Sequence, residues 1–265
     1  MREHSDPTHT DSEPTVAKVL STFLQGGAQP AHGERPDDHD QEVVPDVPAL
    51  PQHDDKKPGP AVDVLAAVTV LGRLPKRPDV SRGDLSRARI AGAVLNAADL
   101  ARAMLYRADL AGAQLNRANL SGGTVLNEAK LAGAQLHRAK LAGAQLYRAD
   151  LTGARLDQAY LSGGAVLNGA KLTGARLHAA NLSGTQLHGA NLAGARLNMA
   201  NLSGAQLHGA NLAGTQLHGA DLSGAVSLTQ VQLDTAHGDA KTQLPDGLER
   251  PASWQNGEDV ATASS

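Results

Sequence analysis

From Asp84 to Gly224 the chain returns to leucine every fifth residue, an interval that few backbones can use to bury a side chain. Leu110, Leu115 and Leu120 set out the spacing, as do Leu202, Leu207 and Leu212. Taking each leucine as a centre gives 28 repeats, with Ile90 the one substitute. An α-helix turns about 100° per residue, so leucines five apart drift about 140° at each step and wind around the cylinder. A strand alternates its faces, so an odd spacing sends every second leucine outward. A chain that turns a corner every five residues buries them all. Four corners close a square coil of about twenty residues, and successive coils stack.

The residues around each centre agree. Two positions before it sits Ala in most repeats, with Gly83, Thr124, Thr185 and Thr215 as small exceptions, so this residue also points inward where space is short. Proline is absent between Pro78 and Pro245, as stacked coils require if their N–H groups pair with neighbours. Aromatics make up only 2 % of the chain, with Phe23 the single Phe and Trp254 the single Trp, which fits a narrow interior of Leu and Ala.

The 28 five-residue units of residues 83–224, with the consensus Ala-Asp/Asn-Leu-x-x, resemble the pentapeptide-repeat proteins. The resemblance implies an all-β fold, a right-handed quadrilateral β-helix of about seven coils, with short N-terminal helices added by the flanking sequence. At about 4.8 Å per coil such a rod is roughly 34 Å long. DVLAAVTVLGR before the repeat and LTQVQLDTAHGDAKTQLPDGL after it are similar to an actinobacterial subgroup, whose longer members carry membrane helices ahead of this region. The chain is expected to be a shortened relative lacking those helices.

Counting in fours assigns every repeat to a face. The register breaks at LSGGTVL and LSGGAVL, where centres Leu120–Leu126 and Leu161–Leu167 are six apart. The breaks lie 41 residues apart, two coils and the inserted residue, so both fall between the fourth and first faces and read as glycine-relieved bulges. Second-face corners carry Gly at every level, Gly92 to Gly214, and fourth-face corners do so except at Arg102. Gly there suits the third residue of a type II turn. First- and third-face corners read LYRA, LNRA, LHRA or LHGA. Arg at positive φ is strained, so these corners are expected to use another turn type.

Four segments follow. Residues 1–60 form a flexible acidic region, with a short helix near 14–24 marked by Val16, Val19, Leu20 and Phe23 on one stripe. Residues 61–82 hold a second helix, Ala61 to Leu71, stopped by Gly72 and expected to cap the first coil. Residues 83–224 are the repeat, and 225–265 a C-terminal cap and tail in which Leu228, Val231, Leu233, Leu244 and Leu248 are the covering residues. The net charge of −3 conceals an asymmetry: residues 1–60 carry −7 and residues 83–224 carry +6.

No reaction chemistry stands out. The chain has no Cys, and no Ser–His–Asp order, phosphate loop or paired carboxylate is recognisable, so no catalytic, cofactor or metal residue is assigned. Stacking places His188 and His208 about 5 Å apart, but no carboxylate or Cys completes a metal site there, and they read as a solvated ladder. Asp84, Asp99, Asp109 and Asp150 occupy the Asp/Asn position of the repeat and read as corner hydrogen-bonders rather than general acids. The candidate interaction surface is Arg87, Arg107 and Arg148 with Tyr106 and Tyr147 on the first face, and Arg117 and Arg138 on the third.

A non-catalytic scaffold for an unidentified protein partner is the function these features favour. The resemblance brings another, since some pentapeptide-repeat proteins mimic DNA and bind gyrase. That demands an anionic rod, and this one is basic. Weak binding of nucleic acid or an anionic membrane through the basic half is a third reading. No apolar run approaches the roughly 18–20 residues that span a bilayer, and the first residues lack a signal pattern, so a cytoplasmic location is expected.

Overall fold

The computed structural model describes residues 84–254. The helices expected near 14–24 and 61–71 lie outside the described residues. Within them the chain winds as a four-sided solenoid. The residue before each centre forms a parallel bridge with its counterpart one coil on, 20 residues later, as in Asp84 to Met104 and Arg89 to Asp109. Where an insertion intervenes the step is 21, as in Met104 to Val125 and Gln145 to Val166. The bridges are single residues rather than continuous strands, because each side of the square spends two of its five residues on the corner. The regular sheet that an all-β fold suggests is thus reduced to stacks of isolated bridges.

Every leucine centre in the repeat is buried, as are the alanines two residues before them; Leu105, Ala108, Leu110 and Ala113 are all 0 % exposed. Thr124, Thr185 and Thr215 take the alanine position at the same depth. Each donates its hydroxyl to a leucine carbonyl of the coil below, Leu100, Leu161 and Leu192 respectively. A buried hydroxyl is tolerated only with such a partner.

The backbone accounting explains the consensus. In the repeat centred on Leu85, the Leu85 N–H donates to Met104 O at 2.7 Å and the Arg87 N–H to Tyr106 O at 2.7 Å. The Ala88 N–H closes the corner on Leu85 O at 3.0 Å, and Asp109 N–H donates back to Ala88 O at 2.8 Å. Four of five N–H groups per repeat are thereby paired, leaving the first corner residue. On the second and fourth faces Asp or Asn two positions earlier accepts it: Asp109 from Ala111, Asn119 from Ser121, Asn191 from Ala193, Asp221 from Ser223. Asp99 and Asp150 make the same bond, as does Asp84 on the first face, the role read for them from the sequence. In later coils of the first and third faces a corner Asn one coil below accepts it instead. Asn96 takes the Asn116 N–H, Asn116 takes that of His137, and Asn168 takes that of His188.

All four corners share one turn, contrary to the expectation for the first and third faces. Arg87, Arg107, Arg117, Arg138 and Arg148 have φ between 53° and 62°, as do Glu128 and Gln158. Their N–H groups are fixed to the coil above while the next N–H closes on leucine, so this left-handed corner is imposed by the stack. Gly122, Gly123, Gly163 and Gly164 likewise have positive φ, and both insertions sit at the corner after the fourth face.

Beyond Leu222 the chain adds an irregular eighth coil. Val226 bridges Gln206, His237 bridges Gln216 and Gln243 bridges Asp221. On the second face a short helix, α1 (Gln230–Asp234), replaces the bridge. Thr229 and Gln232 form its capping box, and Gln232 Nε2 reaches down to Leu207 O at 2.9 Å and Ala210 O at 2.8 Å. Leu233 and Trp254 are buried over this end, and Leu228, Leu244 and Leu248 pack with them. Val231 is 74 % exposed, so it is not a covering residue: with Leu233 inward, α1 is too short to bury a second face.

Candidate interaction surface

The sequence-selected residues occupy two opposite edges of the square. Arg87, Arg107 and Arg148 stand at the corner after the first face, with Glu128 between the last two levels. Arg117 and Arg138 stand at the corner after the third face, followed by Gln158. Each is the left-handed residue of its turn, which aims the side chain away from the rod, and all five arginines are exposed.

Glu128 interrupts the first edge. Arg107 Nε lies 2.7 Å from Glu128 Oε2, and the Tyr106 hydroxyl donates to Glu128 Oε1 at 3.4 Å. The hydrogen bond to Glu128 holds the Arg107 pKa above its ordinary value. The Arg107 guanidinium stands 5.0 Å from the Tyr106 ring centroid, and Arg148 repeats that geometry over Tyr147. Two arginine–tyrosine plates thus flank one carboxylate, which engages Arg107 and Tyr106 of the lower pair. On the opposite edge Arg138 Nε donates to Gln158 Oε1 at 2.7 Å.

Three arginines escaped the sequence reading. Arg155, Arg176 and Arg196 are the outward bridge residues of the third face in three consecutive coils, and all are exposed. The signal was available: they stand 21 and 20 residues apart, the coil interval with and without the insertion. Asp157 Oδ2 lies 3.4 Å from Arg176 Nε. The second face differs in kind, since its ladder runs Arg89, Asp109, Lys130, Asp150, Lys171 with alternating sign. Burial pushes the Asp150 carboxyl up, but donors from Thr152 and the charge of Lys171 outweigh it and hold the group below its ordinary value.

The histidines remain a ladder. The His188 and His208 rings are 6.3 Å apart, and His188 Nε2 is engaged by Gln206 Oε1 at 2.6 Å. Among the described residues no three His, Cys, Asp or Glu gather into a potential metal site, and no helix is long and apolar enough to cross a membrane.

The fold and its decorated edges define a class, the four-sided β-solenoid that presents side chains in stacked rows. Pentapeptide repeats match in eight copies over residues 84–122, 123–158, 163–198 and 200–237, and the chain belongs to the pentapeptide-repeat family. Among solved structures it is similar to HetL, a pentapeptide-repeat protein involved in heterocyst differentiation regulation in the cyanobacterium Nostoc. That likeness has 30 % identity over 63 % of this chain and 85 % of HetL, with a TM-score of 0.39. Rfr23 from the cyanobacterium Cyanothece is 34 % identical over 42 % of this chain and 63 % of its own, with a TM-score of 0.23. QnrB1, a plasmid-mediated fluoroquinolone resistance protein, is 19 % identical over 63 % of this chain and 84 % of its own, with a TM-score of 0.30. No curated protein matches the sequence.

Proposed function

We propose that this chain is a non-catalytic scaffold, a right-handed four-sided solenoid of the cytoplasm that holds a protein partner on its arginine-bearing edges. The observation that carries this reading is where the arginines sit. On the first-face corner Arg87, Arg107, Glu128 and Arg148 adopt the left-handed conformation, whereas Gly169, Gly189 and Gly209 fill the same position in later coils. A non-glycine residue there costs on the order of 1 kcal/mol or more. At this corner the N-terminal coils therefore accept strain that the later coils avoid, and the arginines among these residues display long cationic side chains on a rigid frame.

The test exploits that glycine. Arg107, Arg117, Arg138 and Arg148 are replaced together by Gly, which suits the turn, and the purified proteins are used to capture partners from host extract. Capture of a defined protein by the parent and its loss with the variant supports the scaffold. No capture, or identical capture by both, overturns it. Salt-sensitive binding of DNA or anionic vesicles, lost in the same variant, would replace a protein partner with a polyanion, the reading that the clustered arginines also favour. Mimicry of DNA toward gyrase runs against the net +6 of residues 83–224.

A further inference from the structure

The third face is a charge ladder without its counter-charge. Arg155 bridges Arg176, and Arg176 bridges Arg196, so three arginine side chains leave the backbone from exposed positions at about 4.8 Å intervals. Like charges directly opposite one another are destabilising. The corner closing the same face adds Arg117 and Arg138, and Asp157 is its one carboxylate. Asp157 Oδ2 serves Arg176, while its Oδ1 is buried without a hydrogen-bond partner. The alternating ladder of the second face shows how this rod neutralises a cationic row when the anions are built in. On the third face they are not.

The chain supplies them elsewhere. Between Asp37 and Asp55 lie seven carboxylates and no Lys or Arg, the most acidic stretch of the sequence. Twenty-eight residues separate Asp55 from Asp84, where the first coil begins. Fully extended they span at most about 100 Å, against a rod of roughly 34 Å, so every level of the third face is within reach. A tethered segment also acts at an effective concentration on the order of millimolar, far above that of a free competitor.

We infer that the third-face arginine ladder, Arg155–Arg176–Arg196, is a docking strip for a carboxylate-rich peptide, and that in the free protein its occupant is the chain's own segment 37–55. An acidic partner then competes with this segment for the strip. This does not depend on the partner proposed for the arginine corners.

The chain has no cysteine, so Val47→Cys and Gln216→Cys can carry a dye pair without further changes, reporting distance from the segment to the third face by energy transfer. Transfer is expected to be high in about 50 mM salt and to fall at least twofold in about 1 M salt, where the screening length shrinks to about 3 Å. Replacing Arg155, Arg176 and Arg196 together by Gln, the residue already present at Gln206 and Gln216 on such ladders, should give the high-salt value at low salt. Neutralising Asp37, Asp38, Asp40 and Glu42 to amides should do the same. A first-face control, Arg87→Gln with Arg148→Gln, should leave transfer unchanged. Transfer insensitive to salt, or retained by the Arg155/Arg176/Arg196 variant, overturns the inference, as does loss in the first-face control alone. An unchanged thermal transition in each variant confirms that the rod is intact.

Discussion

Gly238 lies flat against the Trp254 indole, so close that a Cβ on Gly238 would stand 2.5 Å from Cε3 of the ring. The indole N–H donates to Ala236 O at 2.9 Å, fixing the ring over the eighth coil. No flexible end of a side chain is available to yield. Gly238→Ala should therefore expel the ring or shift the backbone, costing about 1–3 kcal/mol as overpacking does. Trp254 is the only Trp, so its emission reports this site alone and should shift to the red.

Gln232 closes the end of the stack by donating to Leu207 O, which also accepts the Ala210 N–H, and to Ala210 O. Gln232→Met keeps the volume and removes both donors. Leaving the Ala210 acceptor unmet costs about 1–3 kcal/mol. Amide exchange should accelerate first in residues 205–236 and leave the central coils protected; uniform acceleration would show that the cap and rod open as one unit.

Strain at the decorated corners is measurable. Arg117 has φ of 58°, and Gly133 has φ of 66° at the corner after the second face. Arg117→Gly should raise stability, by up to about 1 kcal/mol after the added flexibility of the unfolded chain is counted. Gly133→Ala should lower it by about 1 kcal/mol, although a Cβ there meets no atom within 4 Å. Chemical denaturation of the pair tests whether conformation or contact governs these corners.

Acid should loosen the C-terminal end. Burial pushes the Asp239 carboxyl up, but the N–H groups of Gly219, Lys241 and Thr242 and the Thr242 hydroxyl outweigh it and hold the group below its ordinary value. A carboxyl depressed in the folded state contributes stability that is complete above its unfolded pKa, about 4, and is lost as pH falls through the folded value. Melting temperature should drop from pH 5 toward pH 2, and Asp239→Ala should flatten that slope. Asp150, depressed in the same sense, contributes to the acid sensitivity that remains.

The leucine period alone pointed to a solenoid that turns a corner every five residues, because neither a helix nor a straight strand hides a residue at every fifth position; its four sides were what the family resemblance implied. The insertions at Gly122–Gly123 and Gly163–Gly164 were legible for a related reason: a shift of one residue is visible against a strict repeat. The turn at Arg107 was not. Propensity assigns glycine to positive φ, and only the stack, which ties the Arg107 N–H to the coil above, overrides it. Glu128 was hidden because its pairing with Arg107 spans 21 residues, and the Arg155–Arg176–Arg196 row because it appears only when positions are read down a face. The closure by Gln232 follows from a helix too short to show a period.

The corner donors separate the repeats into two kinds. Asp109 or Asn191 settles its own corner within its own pentapeptide, so such a unit carries everything its turn needs. Asn96, Asn116 and Asn168 settle a corner one coil away, so their units are complete only in company. A solenoid of this design can lengthen by duplicating whole coils, but cannot exchange single sides freely. The growth unit of the rod is thereby the coil, although the unit written in its sequence is the pentapeptide.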